Sequence, residues 1–211
     1  MGTLDGKEAL PLLDKMFVKA SDGTYRYFDS VRTNVVTLQG AAVNTSGDTP
    51  LLRFDNAISS DIYSSLVATY GNALEIGTLI VKTDALDDTD FFTEEYLINA
   101  GVDYKKVANK LLYRGTEHAI LSASIEAESV DTSYTAIGYI KVALGNGTVK
   151  TIYSSELISR TVREVASAAL YDVSEQREGI YQYDSINSTG TTQYSPYSAE
   201  VQRKLSGYVG L

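Results

Sequence analysis

The dipeptide Asn146-Gly147 separates two runs rich in β-branched and aromatic residues, 137–144 and 148–153, and no other feature restricts this chain's architecture as much. Asn-Gly supplies the positive φ angles of a tight turn at little steric cost, so the two runs predict an antiparallel hairpin. A hairpin this apolar cannot stand alone in water and has to be paired laterally and covered. A second constraint of the same kind lies at Leu121, Ala123, Ile125 and Ala127, which alternate with Ser122, Ser124, Glu126 and Glu128. That period of two predicts a strand with one face in a core.

Residues 74–81, containing Ile76, Leu79 and Ile80, are apolar enough to predict a central strand buried on both faces. Shorter strands are expected at 35–43 and 51–54, and a hairpin at 16–18 and 25–28 around Ser21-Asp22-Gly23, after a helical turn near 7–13. Ser59 or Ser60 can cap a helix with Ile62, Tyr63, Leu66, Val67 and Tyr70 on one face and Gly71 as its stop. Thr93 caps a brief helix ended by Gly101, with Glu94 and Glu95 favourably placed at the positive end of its dipole. Ile158, Val162, Val165, Ala166 and Ala169 form a helical stripe expected to pack across the sheet. Residues 185–194 have loop composition, and Ser195-Pro196 opens a last helix reaching Ser206, with Gly207 as its stop. The fold class is therefore α+β: an antiparallel sheet of about six to eight strands, for which a sandwich is one available form, with two or more packed helices. The expected organisation is an N-terminal extension with a hairpin at 1–30, a core domain at 31–174, and a Tyr-rich loop with a C-terminal helix packing on the core at 175–211.

Composition removes several functions. With 18 basic and 27 acidic residues the net charge is −9, which repels nucleic acid and anionic membrane surfaces alike. No apolar run approaches the roughly 20 residues that span a bilayer, so direct membrane insertion is not expected. The N-terminus lacks the basic start and apolar stretch of an export signal. The absence of cysteine excludes disulfides, thiolate metal sites and cysteine nucleophiles, leaving stability to packing. Sixteen tyrosines with no tryptophan favour half-exposed strands, where a flat ring and a polar hydroxyl are both useful.

The series Leu51-Leu52-Arg53-Phe54, then Glu75-Ile76-Gly77-Thr78-Leu79-Ile80-Val81, Gly138-Tyr139-Ile140, Tyr153-Ser154 and the segment 160–166 has a characteristic order. It resembles a domain that recurs in large extracellular and cell-surface multidomain proteins of Gram-positive gut Firmicutes, often beside sugar-active or adhesive modules. Leu51 stands where that domain usually has glycine, and the first thirty and last forty residues lie outside the pattern. The resemblance implies an exported, modular setting and no catalytic mechanism. Its expected address is extracellular or cell-surface, with any signal or anchor outside this sequence, and its expected partner a protein or glycan at that surface. The favoured function is thus a non-catalytic structural or adhesion module; a carbohydrate-binding module is the alternative, and a hydrolase of unrecognised type the third reading.

Among candidate sites, Asp84, Asp87, Asp88 and Asp90 could supply the oxygen ligands of Ca²⁺, the one cofactor suggested. The run lacks the glycine and terminal glutamate of an EF-hand loop, and acidic residues commonly crowd the loop before a helix. Tyr181, Tyr183, Tyr194 and Tyr197 form the densest aromatic clusters outside the packed segments and are the candidates for stacking on sugar rings. The competing reading has them lining strands and anchoring the tail helix. No residue is assigned a catalytic role: His118 beside Glu117 is the sole histidine, no Gly-x-Ser-x-Gly elbow occurs, and phosphate-binding glycine loops are absent. Arg53 within an apolar strand and Glu75 at the head of the central strand are expected to be partly buried and to form a structural ion pair, and Arg160 to play a similar structural part.

Overall fold

The computed structural model describes residues 16–19, 23, 25–28, 32–87, 91–144, 147–174 and 198–211. In chain order its strands are β1 (Met16–Lys19), β2 (Tyr25–Phe28), β3 (Arg32–Thr33), β4 (Thr37–Asn44), β5 (Leu51–Ser59), β6 (Leu74–Lys82), β7 (Tyr104–Ala108), β8 (Lys110–Arg114), β9 (His118–Glu126), β10 (Tyr134–Ala143), β11 (Val149–Ser154) and β12 (Ile158–Arg160). The helices are α1 (Ser60–Tyr70), α2 (Glu94–Ala100), α3 (Val162–Ser174) and α4 (Ala199–Val209). None is long and apolar enough to cross a membrane.

The expected hairpin is β10–β11, in register from Tyr139 opposite Tyr153 to Ala143 opposite Val149. At its turn Leu144 N–H donates to Thr148 O (2.8 Å) and Gly147 N–H to Leu144 O (3.0 Å). Gly147, with φ 84°, supplies the positive angle that a side chain would resist, and Asn146 lies outside the described residues. Around this hairpin the first sheet runs β3-β11-β10-β6-β7, with β12 on the other half of the β10 edge that β11 occupies. The second sheet runs β4-β5-β9-β8, and β1–β2 form a separate hairpin.

The strand period of two decides which side chains lie between the sheets. Leu52, Phe54, Asn56 and Ile58 of β5 face Tyr134, Ala136, Gly138, Ile140 and Val142 of β10, with Thr78 and Ile80 of β6 among them. Burying each large aliphatic or aromatic side chain contributes about 1.5–3 kcal/mol, so this double layer is the main source of stability. The outer face of the first sheet carries Leu79, Val81, Ile137, Tyr139 and Tyr153, covered by Phe92 and by Leu97 of α2. An α+β sandwich with helices on its outside is therefore the architecture, as the patterning predicts.

Two consecutive strands join the layers through a single residue. β7 belongs to the first sheet and β8 to the second, and only Asn109 separates them. Asn109 N–H donates to Ile76 O (3.0 Å), and its Oδ1 accepts from the Thr78 hydroxyl (2.9 Å). The sequence hides this crossing, because exposed side chains fall at adjacent positions, Lys105 with Lys106 and Lys110 with Leu111, and break the alternation.

α1 begins where expected, with Ser59 Oγ accepting from Ile62 N–H (3.4 Å), although Val67 is 44% exposed instead of packed. β5 continues to Ser59 where the sequence suggested a stop at Phe54, since the polar residues Asp55 and Asn56 that end the apolar run are themselves buried. Ile158 and Arg160 lie in β12, not in a helix. A capping box fixes that boundary: Glu164 N–H donates to Thr161 Oγ1 (3.0 Å), and Thr161 N–H to the Glu164 carboxylate (2.8 Å). α3 then packs on α4 and β4. α4 passes through Gly207 and ends at Gly210 (φ 85°). Leu205 is buried and Lys204 Nζ donates to Thr45 O (2.7 Å), so this helix rests on the core. The turn expected near 7–13 and the loop at 185–194 lie outside the described residues.

Gly138 faces Asn56 across the sandwich, and a Cβ there would collide with the Asn56 amide. Gly138→Ala is expected to cost about 1–3 kcal/mol through overpacking, measured as a lowered urea midpoint with an unchanged slope.

Candidate functional site

A connected group of ionisable side chains lies on the outer face of the first sheet. Odd-numbered residues of β6 and β10 point there, and Gly77 is opposite Tyr139 in the register. A Cβ at Gly77 would strike the Tyr139 ring, so glycine lets the ring lie across β6. The Tyr139 hydroxyl then donates to Glu75 Oε1 (2.5 Å). Lys106 of β7 sits 5.3 Å from the Tyr139 ring centroid, within cation–π range, and its Nζ reaches both Glu94 oxygens at 2.9 Å and Glu75 at 3.5 Å. Tyr104 donates to Glu94 Oε1 (3.2 Å), while the Tyr153 hydroxyl accepts from Glu94 N–H (3.1 Å). Thr93 caps α2 through Tyr96 N–H (3.1 Å). The contacts of Lys106, Tyr104 and Tyr153 with Glu94 tie the first residue of α2 to the sheet beneath, and those of Glu75 with Tyr139 and Lys106 link neighbouring strands.

The electrostatics follow from the contacts. Burial, reinforced by the bond to Glu75, pushes the Tyr139 hydroxyl far above its ordinary value. The Tyr139 hydroxyl bond holds Glu75 below its ordinary value against the opposing effect of burial, aided by the charges of Lys106 and Lys141. For Lys106, burial pulls the pKa down, but the Glu94 hydrogen bond and the two carboxylate charges outweigh it and leave it raised. Burial raises Tyr153, and burial followed by the Glu94 charge raises Tyr104. At neutral pH the phenols and the lysine are thus protonated and Glu75 is ionised. None is poised to exchange a proton near pH 7, which general acid–base work requires.

The expected Arg53–Glu75 pair does not form. Arg53 points to the outer side of the second sheet, where its Nε lies 3.2 Å from Asp55 Oδ1, both side chains being buried. Glu75 points to the outer side of the first sheet, so the full sandwich lies between them. Alternation along each strand places both charges off the apolar face, but which sheet each belongs to is a tertiary fact.

Asp84 is exposed in the 3₁₀ turn Thr83–Ala85, and Asp87 is exposed after it, whereas Asp88 and Asp90 lie outside the described residues. No group of three or more histidine or carboxylate side chains able to hold a metal occurs among the described residues. Tyr181, Tyr183, Tyr194 and Tyr197 also lie outside them. His118 is exposed at the start of β9, opposite Ser59, and exposed Arg160 donates to Ser159 O (2.7 Å). The Tyr139, Lys106 and Glu94 cluster went unassigned in the sequence, although Gly77 and Tyr139 both stand in apolar strands and a strand glycine often marks a close approach.

A groove of about 1100 Å³ opens between β6–β7 on one side and the end of β9 on the other. Ile80, Val107 and Ile125 give it apolar lining. At its rim Lys82 pairs with Glu128 (2.8 Å), and Tyr134 accepts from Glu128 N–H (3.0 Å).

No protein-family model matches the chain, and no curated protein matches it.

Two substitutions separate the structural roles. Asp55→Ala, which removes the carboxylate 3.2 Å from the buried Arg53 Nε, is expected to cost about 1–3 kcal/mol in chemical denaturation, and Arg53→Met combined with Asp55→Leu less. Tyr139→Phe is expected to cost about 1 kcal/mol and to let Glu75 titrate closer to its ordinary value. Because the folded pKa of Glu75 is lowered, its contribution is present above the unfolded value of 4.5 and lost as pH falls through the folded value. The variant's stability should therefore fall less steeply in that acid range, and carbon-detected NMR titration of Glu75 checks the shift directly.

Proposed function

We propose that the chain is a non-catalytic interaction module of an exported or surface-displayed bacterial protein, engaging a protein or glycan outside the cell. The observation that carries the reading is the commitment of Glu75, Glu94, Lys106, Tyr139 and Tyr153 to one another. These groups are spent on bonding the strands to one another and, through Glu94, on fastening α2 to the sheet. A working acid or base faces a cleft with an unshared proton or lone pair and a pKa near the operating pH. His118 at an exposed strand start has neither a cleft nor an orienting carboxylate among its described contacts. The exported setting is supported by the ordered series from Leu51-Leu52-Arg53-Phe54 to the segment 160–166 that resembles cell-surface domains. A net charge of −9 argues against a phosphate backbone as partner.

The test sets binding against turnover. The purified protein is screened on glycan arrays and on immobilised surface proteins, and separately against chromogenic glycoside, ester and peptide substrates. Saturable binding without turnover is the expected result. Hydrolysis that disappears in Glu75→Gln, with the circular dichroism spectrum unchanged, would overturn the reading.

A further inference from the structure

We propose that the free edge of β7 joins two copies of this chain, the strands running antiparallel around a twofold axis at Tyr104, so that Lys105 of each copy meets Asp103 of the other. This self-association is independent of what the module binds.

β7 ends the first sheet among the described residues. In an antiparallel ladder alternate residues exchange main-chain bonds with the neighbour, and those between point away from it. Asn109 N–H donates to Ile76 O, and the register continues through Val107 opposite Thr78 and Lys105 opposite Ile80. The main-chain groups of Tyr104 and Lys106 are therefore directed away from β6, as a further strand requires. The side chains of these two residues lie on the outer face, bonded to Glu94. Asp103 and Lys105 line the groove, both exposed and neither with an ion-pair partner among the described residues.

When a strand meets its own copy antiparallel, positions equidistant from the axis face each other. An axis at Asp103 or Lys105 sets like charges directly opposite, which is destabilising. An axis at Lys106 leaves Asp103 opposite Asn109 and Lys105 opposite Val107, so neither charge is answered. An axis at Val107 drives the partner strand into Asn109, where the chain leaves the sheet. An axis at Tyr104 places Lys105 opposite the partner's Asp103 twice over, and Val107 opposite the partner's Gly101, which has no side chain to obstruct it. Tyr104 is also a residue whose main-chain groups point outward, so the ion pairs and the main-chain bonds fall in one register. A lone lysine on an edge opposes pairing between copies, and the carboxylate two residues before it reverses that effect. Lys106 adds no repulsion, because Glu75 and Glu94 already share its charge. With Glu126 exposed on the facing wall, the groove holds unshared charges of both signs. A strand bearing only acid leaves Asp103 and Glu126 opposed to it, whereas a copy of β7 brings both signs at the spacing required.

Sedimentation velocity over a dilution series measures the association of the full chain, of Asp103→Lys, of Lys105→Asp and of an equimolar mixture of the two variants. Both replaced side chains are exposed, and circular dichroism checks that each variant folds. The expected result is a reversible dimer of the unmodified protein in which exchange of the Tyr104 amide slows as concentration rises. Either single variant should associate about tenfold or more weakly, since one presents only cations at these two positions and the other only anions. The mixture should regain the dimer, because each variant then offers the charge that the other lacks. A protein that stays monomeric throughout the series, a dimer indifferent to both substitutions, or a mixture no more associated than its components would each overturn the proposal. None of these would touch the module reading, which falls on substrate turnover.

Discussion

The two sheets are held in one register by a hydrogen bond between side chains that no solvent reaches. Asn56 Nδ2 donates to Thr78 Oγ1 at 2.9 Å, and Thr78 donates in turn to Asn109 Oδ1 at 2.9 Å. Both Asn56 and Thr78 are fully buried between apolar layers. Apolar contacts hold the sheets together with most of the energy but little direction, since one sheet could slide over the other at small cost in buried area. A buried amide loses about 1–3 kcal/mol when its partner is removed, which penalises any such slide. Glycine at position 138 leaves room for the amide, so the polar contact and the close approach depend on each other.

On the opposite face of the first sheet the logic is repeated with charges. Lys106 bridges Glu75 and Glu94 beside the Tyr139 ring, and α2 is seated by its first residue instead of by a long apolar stripe. A helix of seven residues has little stability of its own. Its cap at Thr93, its contacts through Glu94 and the burial of Leu97 together supply what length does not. These interactions sit at intermediate exposure and gain from being shared among several partners, whereas an isolated surface pair contributes little.

The elements legible in the sequence are those whose signals are local. Ser59 and Gly71 bound α1, Thr93 and Gly101 bound α2, and the alternation from Ala119 through Ala123 marks β9, because caps and strand periodicity act over a few residues. The Thr161 and Glu164 capping box was also present in the sequence, but the apolar spacing of Ile158 and Val162 masked it. The rest depends on which strand lies beside which. Asp55 is the partner of Arg53 because both lie on the outer side of β5, and Glu75 is answered by Tyr139 because β10 lies beside β6. The candidate groove is equally illegible, since its walls come from strands nearly twenty residues apart that meet only after the sheets close.

The direct passage of the chain from β7 to β8 through Asn109 has a mechanical meaning. A sandwich whose sheets touch only through side chains can shear apart layer by layer under tension. Here a tug on either layer is passed through covalent backbone into the other, and β7 cannot peel from β6 without loading the β8–β9 ladder. This crossing makes the pair of stacked sheets continuous through main chain at Asn109 as well as in contact through side chains.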